Sequence, residues 1–369
     1  MIRLSDLFKK HDQPQGAGLP KGVKPDIKSH EDMAAQQAAI DKSPDSTRQS
    51  SVKLSPAMNA ELEKERPPTP NIANLYSELL SKARDSYGPG ADTRRKFAEE
   101  LHPFIRRLLE SLASGSDELL LLSLRDYPKA EEMLFHHVVN VTIISLTVGL
   151  ELGWEHDRML ELGVAAFVHD IGSRDKEILY KTDLFSDEEF DRIKTHPNEG
   201  VLALGKMDPS LNKNILDAVR QEHERADGSG YPAGLVSDEI GEYAQIIGLA
   251  DVYEALMHNR PYRSKYTSLD SIRIILKNKK LFVAKAVKAL IEAYGIFPVE
   301  TLVQLNTKEI GVVIKRDPDL ISRPVIDIII DSYGKEVKQP KRINLASNPV
   351  IYIDSCVKQE DKYVKTPIG

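Results

Sequence analysis

The chain has 369 residues, with 50 Lys plus Arg against 56 Asp plus Glu, a formal net charge of −6 and one cysteine. That balance argues against a protein built to coat polymeric nucleic acid, and a lone Cys356 excludes an intrachain disulfide framework or a cysteine-based zinc site. MIRLSDLFKK does not read as a signal peptide and no apolar run reads as approaching the roughly 20 residues of a membrane helix, so a cytoplasmic protein with no membrane partner is expected.

Residues 1–70 are rich in Pro, Gln, Ser, Lys and Asp and poor in large apolar side chains. Such a stretch buries too little surface to offset the entropy of ordering, so it reads as a disordered, low-complexity segment. Met1, Ile2, Leu4, Leu7 and Phe8 could form one face of a short helix that docks on a partner or on the body, but the favoured reading is a loosely ordered terminus. Over 71–126, apolar residues at three and four spacing in NLYSELLSKA and FIRRLLESL predict a helical lead-in, interrupted by SYGPGAD. Met133 to Leu152 predicts a long apolar helix. Leu160 to Val168 predicts a second, buried on all sides and stopping at Gly172 as a residue just past the C-cap. Ser186-Asp187-Glu188-Glu189 has the form of a capping box and opens a helix that must end near Pro197. Helices are also expected over Leu211 to Arg225 and Tyr243 to His258. After Phe297, the runs TLVQL, IGVVIK, PVIDIIID and PVIYID predict a small β-rich extension over 298–369, of four or five strands. The fold class expected is mainly α, a helical bundle over 127–297 with this extension attached.

The helices of the bundle carry chemistry. His137 lies early in the first long helix, His169-Asp170 follows AAFV, His196 precedes Pro197, Glu222-His223 ends a helix and Asp251 falls inside AQIIGLADVYEALM. A carboxylate on so apolar a helix is expensive to bury unless a cation or strong donors meet it. Helices that each deliver an imidazole or carboxylate to one interior are how bundles build metal sites. Nitrogen and oxygen donors without sulfur suit iron, manganese or zinc. His136 points elsewhere on its helix, and His11, His30, His102, His156 and His258 read as surface residues.

His137…His169-Asp170…His196-Pro197…His223-Glu224…Asp227-Gly228-Ser229-Gly230-Tyr231-Pro232…Asp251 resembles the HD-GYP family, a branch of the HD-domain metal-dependent phosphohydrolases. HDIG at 169–172, ADVYEAL at 250–256 and NRPYR at 259–263 match it as well. The resemblance covers about 127–297, and the β-rich tail looks like one often attached to this family. It implies a cyclic di-GMP phosphodiesterase in bacterial signalling, releasing the linear dinucleotide or GMP, with two divalent ions, Fe or Mn. Metal ligands implied are His137, His169, Asp170, His196, Glu222, His223 and Asp251, with Asp170 bridging and His169 and Asp170 catalytic. Gly230, Tyr231 and Pro232 form the loop beside the site, where Gly228 and Gly230 let the backbone turn tightly and Tyr231 can stack on a base. Arg260, Arg263 and Lys265 are placed to meet the phosphates. The partners expected are a cyclic dinucleotide, regulatory proteins of the diguanylate cyclase type, and a second copy in a homodimer.

The chain departs from the family's usual text at two positions. Glu222 stands where the first of two adjacent histidines is usual, and Ser173 stands where HDIGK has its lysine. An acidic ligand sometimes found one turn before the first histidine would fall at Met133, with Glu132 one residue off, which favours two ions over three. Three readings follow: an active phosphodiesterase, a weakened relative serving as nucleotide receptor or scaffold, and an HD-type phosphohydrolase acting on another nucleotide.

Overall fold

The structure is a computed structural model that describes residues 51–52 and 70–359, apart from 89–90, 92–93, 115–116, 174–180, 182–185, 261–262 and 318. The expectations for Met1 to Phe8, and nearly all of those for 1–70, lie outside the described residues.

The lead-in forms α1 (Pro70–Tyr87), α2 (Phe97–Ala113) and α3 (Glu118–Ser123). Next come α4 (Met133–Glu151) and α5 (His156–Val168), which pack side by side. Val138, Val141, Ile143, Ile144 and Leu146 of α4 are completely buried, and α1, α3 and later helices pack around them. Each buried aliphatic side chain of this kind contributes roughly 1.5–3 kcal/mol, enough to hold a polar residue such as His137 or Asn140 among them. At 19 residues, α4 is long and apolar enough to cross a membrane, which corrects the expectation that no run approaches that length. Its most apolar window is 83% buried within the fold, as befits a helix apolar on every face inside a large core.

The capping box forms as expected. Ser186 N donates to Glu189 Oε2 at 2.7 Å, and Glu189 N to Ser186 Oγ at 3.2 Å, opening α6 (Asp187–Ile193). That helix ends at Ile193, near Pro197 as expected, and Pro197 itself sits in the first turn of α7 (His196–Met207), where its missing N–H is no loss. α8 (Lys213–Gln221) is shorter than expected, because Arg225 Nη1 donates to the carbonyls of Glu222 (3.0 Å) and Glu224 (2.8 Å) and closes the helix early. α9 (Glu242–Met257), α10 (Ser268–Lys277) and α11 (Ala284–Tyr294) complete the bundle.

The extension is an antiparallel sheet of β1 (Leu302–Leu305), β2 (Ile310–Lys315), β3 (Val325–Ile330), β4 (Glu336–Asn344) and β5 (Ile353–Cys356), in the order β4-β3-β2-β1-β5. Val303, Leu305, Val313, Ile326, Ile328 and Ile343 share a small core with Phe297. β4, EVKQPKRIN, is a strand that the sequence pattern does not predict. It is a mostly exposed edge strand, where lysines and a proline protect an open edge and hide the apolar alternation.

Candidate metal centre

All seven expected ligands come together, and none is more than 4% exposed. α4 supplies His137, the end of α5 His169 and Asp170, the start of α7 His196, the turn after α8 Glu222 and His223, and α9 Asp251. They fall into two groups, Asp170 with His196, Glu222 and His223, and His137 with His169 and Asp251; within each, the donor atoms lie within 4.8 Å of one another. Asp170 joins the two groups. Its Oδ1 is 3.4 Å from His196 Nε2, and its Oδ2 is 3.8 Å from His137 Nε2 and 3.9 Å from His169 Nε2. Glu222 reaches within 3.6 Å of His196 Nε2 and 3.7 Å of His169 Nε2, so the residue that departs from the family text still lies inside the cluster.

Hydrogen bonds at the outer ring nitrogens set the direction of three imidazoles. Nδ1 of His169 donates to the Ala166 carbonyl at 2.7 Å, Nδ1 of His196 to the Ile193 carbonyl at 2.7 Å, and Nδ1 of His137 to Glu254 Oε2 at 2.6 Å. Each Nε2 is thereby left to face inward as a donor for a metal. His137 Nε2, His169 Nε2, Asp170 Oδ2, both Glu222 oxygens and His223 Nδ1 have no hydrogen-bond partner among the described residues. A buried polar atom left unpaired costs about 1–3 kcal/mol, so six in one cluster are a strong demand for a bound cation.

The electrostatics agree. Burial, and then the carboxylates of Asp170 and Asp251, push the Glu222 carboxyl well above the usual range. Burial takes His196 down to about 4. Burial opposes charge on His137 too, but Glu254 and Asp251 outweigh it and hold that ring at about 9. Three crowded carboxylates and lone pairs on facing imidazoles, such as His223 Nε2 2.9 Å from His196 Nε2, fit divalent metal. Nitrogen and oxygen donors without sulfur suit iron, manganese or zinc.

Glycines let the backbone close on the cluster. A Cβ on Gly172 would lie 2.1 Å from the His196 carbonyl oxygen, so its work is close approach of the His169-Asp170 turn to α7 and not a helix cap. A Cβ on Gly230 would lie 2.4 Å from His223 O, Glu224 Cα and Arg225 N, whereas the left-handed turn falls at Gly228, φ 77°. The loop is pinned by Glu224, whose oxygens accept from Ala233 N at 2.7 Å and Leu235 N at 2.9 Å. Tyr231, joined to Pro232 by a cis peptide, lies with its ring 4.9 Å from that of His223. Its buried hydroxyl finds no partner among the described residues, and burial holds it protonated well above the usual range despite Arg225 nearby. Gly230→Ala is expected to lower stability by about 1–3 kcal/mol, seen as a lower Tm, because the added methyl meets backbone on three sides. An unchanged Tm would mean the loop seats differently.

The basic turn after α9 is not arranged as expected. Arg260 is buried and gives Nη2 to Glu254 Oε2 at 2.7 Å, so its charge is already met inside the protein. Arg263 donates to the carbonyls of Ala255 and Ser264, both at 2.6 Å, and Lys265 pairs with Asp126 at 2.8 Å. His258, expected at the surface, is fully buried and stacked on Tyr127 with ring centroids 4.6 Å apart. The α9 turn carries it inward, a position its polar sequence neighbours do not reveal. His102 is half-buried, while His156 is exposed as expected. His136 lies outside both ligand groups, its Nδ1 3.1 Å from the Tyr76 hydroxyl. Ser173 Oγ donates to Asp170 Oδ1 at 2.6 Å. Met133 is buried, and Glu132 turns to Arg84 at 2.9 Å, so neither adds a ligand. Sequence reasoning passes over two residues: Glu254, buried one turn beyond Asp251, and Arg225, buried beneath the loop.

Residues 120–283 match the HD domain family, and residues 302–363 match the KOW domain associated with HD domain. Cyclic di-GMP phosphodiesterase PA4108 of Pseudomonas aeruginosa is 29% identical over 217 residues, covering 58% of this chain and 52% of its own length. Cyclic di-GMP phosphodiesterase PdeB of Borreliella burgdorferi is 29% identical over 217 residues, covering 58% and 56%. 3'3'-cGAMP-specific phosphodiesterase 1 of Vibrio cholerae is 31% identical over 151 residues, covering 40% and 34%. The chain thus spans about half the length of the first two relatives, and less of the third. Bd1817, a HDG"Y"P protein from Bdellovibrio bacteriovorus, shares the fold with a TM-score of 0.50 at 14% identity, over 63% of this chain and 74% of that one. Residues 120–283 thus carry an HD domain and residues 302–363 the KOW domain associated with it, and the relatives and the shared fold agree with the resemblance to the HD-GYP branch.

Proposed function

We propose that this chain is a metal-dependent phosphodiesterase that hydrolyses cyclic di-GMP to the linear dinucleotide or GMP at a two-metal site. The observation that carries this reading is the pair of buried ligand groups with Asp170 between them. Relatives named as cyclic di-GMP and cGAMP phosphodiesterases support the substrate class. Two divalent ions held by these residues would lower the pKa of a bound water towards neutrality and offset charge in an in-line displacement.

The chain's own residues do the rest. Asp170 bridges the two groups, and Ser173 holds its carboxylate in place. Tyr231 offers a protonated hydroxyl to the nucleotide, and Gly230 and Pro232 keep its loop against His223. Lys265 is the cation most readily turned to the phosphodiester, since a partly exposed pair such as that with Asp126 is worth only about 0–1 kcal/mol. Arg263 joins it only by giving up two carbonyl partners. The division into a lead-in over 71–126, a catalytic unit over 127–297 and an extension over 298–369 belongs to the same reading.

The test is incubation of purified protein with cyclic di-GMP and Mn²⁺ or Fe²⁺, with 3'3'-cGAMP in parallel, followed by chromatography. Linear dinucleotide or GMP is expected from cyclic di-GMP. Binding without products would replace the enzyme reading with that of a receptor.

A further inference from the structure

We propose that Glu254 is a positioning residue for the metal centre, and that Arg260 acts on the centre through Glu254 and not on the substrate. This rests on the metal-centre reading above.

Glu254 lies three residues after Asp251, so both carboxylates project from one face of α9. It is 0% exposed, yet four donors and the His258 ring, from three stretches of the chain, converge on it. Oε2 accepts from His137 Nδ1 at 2.6 Å and Arg260 Nη2 at 2.7 Å. Oε1 accepts from Asn140 Nδ2 at 3.3 Å, lies 3.1 Å from His258 Nδ1, and takes the Tyr127 hydroxyl. With both oxygens occupied, Glu254 belongs to neither ligand group. Its effect falls on a ligand that does. The bond at His137 Nδ1 fixes the ring so that Nε2 faces Asp251 at 3.3 Å and Asp170 at 3.8 Å. A carboxylate behind a ligating imidazole sets its tautomer and orientation and makes it a stronger donor.

Arg260 completes the arrangement. Its side chain is 2% exposed and its partner 0%, so the pair sits within the protein and not at a cleft wall. A guanidinium held this way keeps the Glu254 carboxylate aimed at His137, while Tyr127, Asn140 and His258 hold its other oxygen. An amide cannot replace that carboxylate cleanly. In a Glu254→Gln variant, whichever end of the new side chain carried the NH₂ would face at least one group that must also donate: Arg260 on one side, Asn140 on the other.

The test is equilibrium dialysis of chelator-treated full-length protein against Mn²⁺ without substrate, reading ions bound per chain. Wild type is expected to bind two. Glu254→Gln should weaken one of them about 10–100-fold and leave the other unchanged. Arg260→Gln should weaken the same ion, Arg260→Lys should restore it in part, and KM for cyclic di-GMP at saturating Mn²⁺ should not move. If Glu254→Gln binds both ions as wild type does, the proposal is overturned. It is overturned equally if Arg260→Gln keeps its Mn²⁺ affinity and raises KM, which would make Arg260 a phosphate contact. Should Glu254→Gln not fold, the Arg260 pair of variants decides on the same readouts. Wild type that bound no Mn²⁺ would sink the metal-centre reading itself, whereas a wild type binding two ions with unaffected variants would sink only this inference.

Discussion

Asp170→Ala is expected to strip metal from the protein and to lower cyclic di-GMP hydrolysis by about 10³-fold or more, equivalent to about 4 kcal/mol of barrier. Asp170 lies within 4 Å of histidines in both ligand groups, so its loss removes the carboxylate that reaches His196 on one side and both His137 and His169 on the other. His169→Ala should act in the same direction by removing an inward-facing Nε2. The helical fold should persist, because α4 and α5 are held by apolar packing in which the carboxylate takes no part. Metal analysis and circular dichroism on the same sample separate these effects. Normal metal content and normal rate in the Asp170 variant would show that the site is elsewhere.

Glu222→His should shift metal preference from manganese towards iron or zinc by roughly tenfold, the lower end of what a changed coordination environment produces. Glu222 faces His169 and His196 at 3.7 and 3.6 Å and adds one negative charge to a cluster already holding Asp170 and Asp251. Hard oxygen favours manganese, and imidazole favours iron and zinc. There is a pH signature as well. Burial, Asp170 and Asp251 raise the Glu222 carboxyl, so it must lose a proton before it can ligate. Metal affinity should therefore climb as pH rises through and beyond the ordinary carboxylate range, and the climb should be smaller in Glu222→Gln. Competitive loading with mixed Mn²⁺ and Fe²⁺ at several pH values measures both effects; an unaltered ratio would mean that Glu222 does not ligate.

The seven candidate ligands are legible because each sets a polar group in an apolar helix or at its buried end, where chance rarely leaves one. His137 and Asp251 show this most plainly, standing among valines, isoleucines and leucines. Glu254 satisfies the same rule on the same helix and escapes notice, since ADVYEAL reads as a run in which one acid already explains the motif. Its partners Tyr127, His137 with Asn140 on α4, and Arg260 come from three separate stretches, and only folding brings them to one carboxylate. Arg260 misleads for the matching reason. A basic turn after a site helix reads as a phosphate clamp until burial and a 2.7 Å pair assign its charge elsewhere. β4 is hidden because edge strands carry the charges and proline that mask a strand's alternation.

By itself the sequence determined the helical bundle, the β-rich extension, the identity and order of the candidate ligands, and the two positions that depart from the family's usual text. These are properties of local pattern: apolar periodicity, capping residues, and polar groups whose burial needs a cation. Tertiary structure alone decided how the ligands divide into two groups with Asp170 between them, that Gly172 and Gly230 serve close approach, that Ser173 holds Asp170, and that Arg260 and Glu254 form a support behind His137. Some of these depend on distances of a few ångströms between residues tens to more than a hundred positions apart, others on how a short turn folds back and which of its faces is covered, and both are fixed only once the helices have packed.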